Sequence, residues 1–194
     1  MGLDAQALTT LTREKFAESL VDNQGKTGVA TMSEASEVAK SVISTYQQAL
    51  IEGNPLILSR IGHLVILDKS ARPGRNPKTG EAYEISARRT VSLRKIPLKD
   101  KPYLKRQDML ARLRVTLSDF SKLNIEAIYD VFHRFIQRVL DKKHRIEFRG
   151  FGVFYPVVRE AGEVRNPRTG EKTRSEELVK ISFRPSRELL GELN

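Results

Sequence analysis

The chain has 194 residues, of which 39% are hydrophobic and 30% charged, with a net charge of +10 at neutral pH and a pI near 9.9. That surplus asks for a polyanionic partner, nucleic acid first and an anionic membrane surface second. The absence of cysteine excludes disulfides, thiolate metal sites and thiol nucleophiles, and fits a reducing cytoplasm; no run of about 18 apolar residues is present to span a membrane, and residues 1–10 carry neither a secretory pattern nor, with Gln at position 6, a myristoylation pattern.

The elements follow in order. A helix is expected over about residues 12–21, then a turn-rich stretch over 22–28. Thr31-Met32-Ser33-Glu34 fits a capping box. It opens a helix whose apolar stripe is Ala35, Val38, Ala39, Val42, Tyr46, Ala49 and Leu50. Strands at 56–58 and 64–67 flank Gly62, a Pro/Gly/Asn tip occupies 73–80, and a strand returns over 85–93. Pro97 and Pro102 oppose a helix through 95–102. That stretch reads as a linker of about ten residues, reaching roughly 33–36 Å if extended, with a helix beginning near Pro102.

Leu110, Leu113 and Leu117 then keep near-helical spacing, and Ser121 caps a further helix carrying Ile125, Ile128, Phe132, Phe135, Ile136, Val139 and Leu140. Ile146, Phe148, Phe151, Val153 and Phe154 read as strands around Gly150 and Gly152. Pro156 marks an edge strand or a bulge. A second tip covers 162–170, a strand 178–183, and a short helix follows Pro185.

The second half repeats the first. Arg75-Asn76-Pro77-Lys78-Thr79-Gly80-Glu81 returns 90 residues later as Arg165-Asn166-Pro167-Arg168-Thr169-Gly170-Glu171. The same shift pairs Gly62 with Gly152, Leu50 with Leu140, Ser92 with Ser182, and Thr31 with Ser121. Two copies are expected, 1–98 and 103–194, joined by the linker at about 95–102, with a small insertion in the first copy near 22–28. One copy has too little chain to cover an apolar helix as wide as 125–140, so the other copy must cover it.

Gly150-Phe151-Gly152-Val153-Phe154, followed fifteen residues after Gly152 by Pro167 within Arg-Asn-Pro-Arg-Thr-Gly, resembles the bacterial HU and integration host factor family. Gly62 and Pro77 keep the same separation. The resemblance covers about 12–93 and 107–194 and implies an α+β, HU-like fold. Two tandem copies would form a single-chain pseudodimer with a shared helical body and two β-ribbon arms. It implies that the arms enter the minor groove of double-stranded DNA and that Pro77 and Pro167 wedge between base pairs, bending the duplex.

The expected DNA-binding residues are Lys69, Arg72, Arg75, Asn76, Pro77, Lys78, Arg88, Arg89 and Arg94 in arm one, and Arg159, Arg165, Asn166, Pro167, Arg168, Lys172, Arg174 and Arg184 in arm two. Residues 69–94 carry a net +5 and residues 159–184 a net +2, so arm one is expected to hold phosphate more strongly. Ser59-Arg60-Ile61-Gly62-His63 stands where the family tends to have Gly-Phe-Gly, a further inequality between the halves.

The partner set is therefore duplex DNA and no membrane, with a monomeric pseudodimer expected and a homodimer left open. The place is cytoplasmic and nucleoid-associated. No cofactor is expected, and His63, His133 and His144 are too scattered for a metal site. The chain has no Walker loop, nucleophile elbow, HExxH pattern or dinucleotide fingerprint, so no catalytic residue is expected. The alternative reading is an RNA-binding or scaffolding protein using the same clamp.

Overall fold

The computed structural model describes residues 10–99, 101–165, 168, 170–174 and 176–194. The first half opens with β1 (Thr10–Thr12), α1 (Arg13–Val21), α2 (Gln24–Thr27) and α3 (Met32–Ile51). The stretch read as turn-rich thus holds a single helical turn. Gly28 ends it in the left-handed region at φ +73°, and the Thr27 hydroxyl donates to the carbonyl of Leu20 at 2.9 Å. Eighteen positions separate Arg13 from Thr31, against fifteen from Arg106 to Ser121, which locates the inserted residues of the first half.

Thr31 caps α3, its hydroxyl accepting from the amide of Glu34 at 3.2 Å. The reciprocal bond is displaced by one residue: Glu34 Oε2 accepts from the amide of Ala30 at 2.9 Å. In the second half Ser121 caps α5 (Lys122–Asp141) in the same way through Asn124.

The sheets are where the halves join. β2 (Leu56–Leu58), β3 (Gly62–Lys69) and β6 (Arg88–Arg94) form one antiparallel sheet. β7 (Arg145–Phe148), β8 (Gly152–Arg159) and β11 (Leu178–Pro185) form the other, and β1 joins its edge. That contact is parallel and crosses the halves, with Thr10, Leu11 and Thr12 opposite Arg145, Ile146 and Glu147. The exchange is returned. Leu104 bonds to the carbonyl of Pro55 at 2.9 Å and accepts from Ile57 at 3.3 Å, a one-residue parallel bridge onto β2.

Pairing by Leu104 corrects the expected helix start near Pro102. Leu104 is extended, so α4 begins only at Arg106 and runs to Thr116, with Asp108 accepting from the amide of Lys105 at 2.7 Å. The linker crosses its own sheet from the β6 edge to the β2 edge. That span is two strand spacings, about 10 Å, so the stretch does not run extended. It bends, with the Tyr103 hydroxyl accepting from the amide of Leu98 at 2.7 Å and the Tyr103 ring edge-on to His63.

One core serves both halves. Phe16 from α1 is fully buried among Phe132, Phe135 and Phe148 of the second half, with ring centroids 5.2, 5.7 and 6.5 Å away. Tyr46 of α3 packs against Phe132, the rings tilted with centroids 4.8 Å apart. Phe132 and Phe135 are core, as their positions on the apolar stripe require. Burying one such ring stabilises by roughly 1.5–3 kcal/mol. A terminal helix, α6 (Arg187–Leu193), also crosses over: Leu189 and Leu193 are buried, it packs on α3 and β6, and the Asn194 side chain brackets Arg89 through its amide and carbonyl.

His133 lies within this core. Its Nδ1–H donates to the carbonyl of Tyr129 at 2.9 Å, leaving Nε2 to accept from the Tyr46 hydroxyl at 3.4 Å. Burial penalises the charged ring and lowers its pKa from 6.5 to about 4. Between those values the unfolded chain binds a proton that the folded chain excludes, so this contribution is full above pH 6.5 and is lost as pH falls toward 4. His133→Phe is expected to remove about 3 kcal/mol of the stability difference between pH 7 and pH 4, measured by urea unfolding at both pH values. Parallel pH profiles for the two proteins would contradict it.

Candidate nucleic-acid interface

β6 lies alongside β11, so the two sheets meet edge to edge, and a ribbon leaves from each. The root of each ribbon depends on a glycine. Gly62 and Gly152 stand at φ +146° and +151°, and a Cβ there would lie 2.6 Å from the carbonyl oxygen of Arg94 and 2.5 Å from that of Arg184. Only glycine lets β3 and β8 press so closely on β6 and β11. Pro156 sits in β8 just beyond the last residue paired with β7, where its missing N–H costs no ladder bond, as an edge position requires.

Beyond the roots, arm one continues as β4 (Arg72–Arg75) paired with β5 (Ala82–Ile85). The returning strand expected as one run over 85–93 is therefore two strands. The interruption falls at Ser86-Ala87, facing a similar one at Ser70-Ala71, and these small residues are weak strand formers on both sides. Arm two is interrupted at the equivalent places, between β8 and β9 (Glu163–Arg165) and between β10 (Lys172–Arg174) and β11.

The tip of arm one is fixed by Asn76. Its amide donates to Glu81 at 2.9 Å, its carbonyl accepts from Gly80 at 2.9 Å, and its Oδ1 accepts from the amide of Lys78 at 2.9 Å. Gly80 closes the loop at φ +74°. Asn76 thus shapes the turn through Oδ1. Pro77 is exposed at the apex, between exposed Arg75 and Lys78. Tyr83, 54% exposed, closes a concavity with Asn76, Pro77, Glu81 and Ala82. The sequence reading missed Tyr83; its one signal is an aromatic residue inside a hairpin otherwise rich in charge.

In arm two, Arg165 lies opposite Lys172, as Arg75 lies opposite Ala82, and Gly170 at φ +76° repeats Gly80. Arg165 Nε donates to the carbonyl of Gly170 at 3.0 Å, and Lys172 pairs with Glu163 at 3.2 Å. Arg168, Arg174 and Arg184 are exposed. Asn166 and Pro167 lie outside the described residues, and Arg159 is placed by its strand position alone, opposite Leu178.

The arm bases differ more than the tips. Lys69 and Asp68 face Arg88 and Arg89, with an exposed Arg89–Asp68 pair at 3.2 Å. Arg94, also exposed, faces His63. At the equivalent positions of arm two stand Val158, Arg159, Leu178 and Val179, with Val158 and Leu178 exposed at 42% and 53%. The base of arm one thus carries more charge than that of arm two, which keeps Arg159 and Arg184. Among the described residues no three His, Asp or Glu side chains gather as a metal site, and no helix is long and apolar enough to cross a membrane.

The sequence model of a family described as "Bacterial DNA-binding protein" matches twice, over residues 11–97 and 104–194. Integration host factor subunit alpha of Alkalilimnicola ehrlichii is 44% identical over 84 residues, which are 43% of this chain and 79% of that protein. The same subunit of Mannheimia succiniciproducens is 39% identical over 82 residues, 42% of this chain and 80% of that protein. A solved Anabaena HU–DNA cocrystal structure aligns with TM-score 0.36 and 20% identity, over 44% of this chain and 91% of that one.

Gly152→Ala is expected to destabilise by about 2–4 kcal/mol, through the strained backbone and the clash with Arg184, lowering Tm by roughly 4–16 °C. Calorimetry checks this. An unchanged Tm would show that the arm root tolerates a Cβ.

Proposed function

We propose, for a chain that belongs to the bacterial DNA-binding protein family through both of its halves, that it grips duplex DNA between two ribbons and bends it with little sequence preference. It acts as an architectural protein rather than an enzyme. One chain supplies both arms, from copies spanning 1–98 and 103–194, and works as a monomeric pseudodimer. Its place is the cytoplasm, on the nucleoid. No membrane and no cofactor take part.

The observation that carries this reading is the exposed Pro77 at the apex of a ribbon, flanked by Arg75 and Lys78 on a turn that Asn76 shapes. A proline ring is rigid, apolar and without an N–H to desolvate, which suits insertion between stacked base pairs. Pro167 takes the same part in arm two by the 90-residue repeat. Lys69, Arg72, Arg75, Lys78, Arg88, Arg89 and Arg94 on one arm neutralise phosphates. On the other, Arg159, Arg165, Arg168, Lys172, Arg174 and Arg184 do so. Asn76 and Asn166 address minor-groove acceptors, whose pattern separates A·T from G·C and little more. Any site preference therefore comes from how readily the duplex deforms. Smooth bending of a 20–30 bp site costs on the order of 1–6 kcal/mol, which the phosphate contacts along the arms must offset.

Energy transfer between the ends of a labelled duplex tests the wedges. Pro77→Ala and Pro167→Ala are each expected to lose part of the bend while binding partly survives, and the double variant to lose most of it. A wild-type bend in the double variant would remove the wedge role. The arms are further separated by their salt dependence. Changing Arg72, Arg75 and Arg88 to Gln should reduce the slope of log K on log salt by about 2.7, near 0.9 for each lost phosphate contact. Changing Arg165, Lys172 and Arg174 should reduce it less, since Lys172 already pairs with Glu163. Equal slopes for the two sets would refute the unequal arms.

A further inference from the structure

The two flanks of the helical body are equivalent by the repeat, yet one is basic and the other close to neutral. On the outer face of α5, Arg134, Arg138 and Lys142 are exposed at successive turns. Ninety residues earlier, the same face of α3 presents Ser44, Gln48 and Glu52. Residues 134–145 carry a net +4 and residues 44–55 a net −1. The neighbouring charges narrow the contrast without removing it, and one turn earlier the signs reverse, with Lys40 on α3 against Asp130 on α5. Against α5, α1 adds Lys15 paired with Glu18, together with Asp22. Against α3, α4 adds Arg112, which Glu52 neutralises at 2.7 Å.

Attraction between cations and a helix C-terminus suits Arg138 and Lys142, in and just after the last turn of α5, but does not account for Arg134. That effect fades within the last turn, and α5 ends at Asp141, two turns beyond Arg134. The stripe is also joined to an arm. Lys143, at the end of α5, pairs at 2.9 Å with Glu177, immediately before β11. The basic flank thus adjoins the base of arm two, the arm with less charge of its own.

We infer that the Arg134–Arg138–Lys142 face binds duplex phosphate and extends the wrapped DNA on the arm-two side alone. Evenly spaced guanidinium and ammonium groups on a rigid helix match a polyphosphate backbone, and the opposite flank offers no equivalent. The complex is polarised: the arm supplies most of the grip on one side, the body on the other. This rests on the reading that the ribbons hold duplex DNA.

The test compares duplexes of about 20 and 40 bp, the shorter spanning only the bent centre. A variant with Arg134→Gln, Arg138→Gln and Lys142→Gln is expected to bind the long duplex at least tenfold more weakly, its salt slope reduced by about 2.7. On the short duplex its affinity should equal that of the wild type. A second variant, Ser44→Arg, Gln48→Arg and Glu52→Lys, should bind the long duplex more tightly and the short one unchanged, which keeps the test decisive if the first variant folds poorly. Wild-type affinity of the first variant on the long duplex, an equal loss on the short one, or no gain in the second variant would overturn the inference. End-to-end energy transfer on the short duplex separates this from the ribbons: a wild-type protein that leaves it straight sinks the wedge reading, whatever the flank does.

Discussion

Phe16 is the contact on which the rest depends. It belongs to the first half, but its surroundings belong to the second: Phe132 and Phe135 on α5 and Phe148 on β7. Beside it, residues 10–12 run parallel with 145–147, while Leu104 of the second half returns to β2 of the first. Neither half can close its own core. Truncating a buried aromatic ring costs on the order of 3–5 kcal/mol, a large share of a typical domain's net stability. The exchange therefore fixes the two sheets against each other, and through them the roots of both ribbons. The proposed bending of a duplex between two ribbons requires a set distance between them, so the core is its mechanical condition.

Joining two copies in one chain also frees them to differ. A symmetric dimer of identical chains must carry the same residue at both equivalent positions. Here Arg88 corresponds to Leu178, Asp68 to Val158, Ile43 to His133, and Glu52 to Lys142. Charge is concentrated on arm one and on the flank beside arm two. The C-terminal helix that packs on the first half has no counterpart among the described residues on the second, because there the chain runs on into the linker. The asymmetry reaches the core, the roots and the outer faces.

The repeat was legible because it rests on side chains with local mechanical roles. Gly62 and Gly152 allow close strand approach, Thr31 and Ser121 cap helices, and Asn76 with Gly80 closes the turn at the tip of arm one, so each leaves a residue type at a fixed spacing. The strand exchange left no such trace. β1 is three residues long and the returning contact is Leu104 alone, too short for any periodicity. The same single residue moved the start of α4 from near Pro102 to Arg106. The break in the returning strand at Ser86-Ala87 is a matter of weak propensity rather than a turn residue. Tyr83 escaped because its exposure, beside Gly74 and Pro77, is a property of the hairpin and not of its neighbours in sequence.

Hydrogen exchange read by mass spectrometry tests the shared core most directly. Peptides from α3 and α5 should open with the same free energy, and Phe16→Ala should lower both equally, although Phe16 belongs to the first half. Protection of α5 that survives the loss of Phe16, while α3 weakens, would mean two separately folded lobes and no fixed distance between the ribbons.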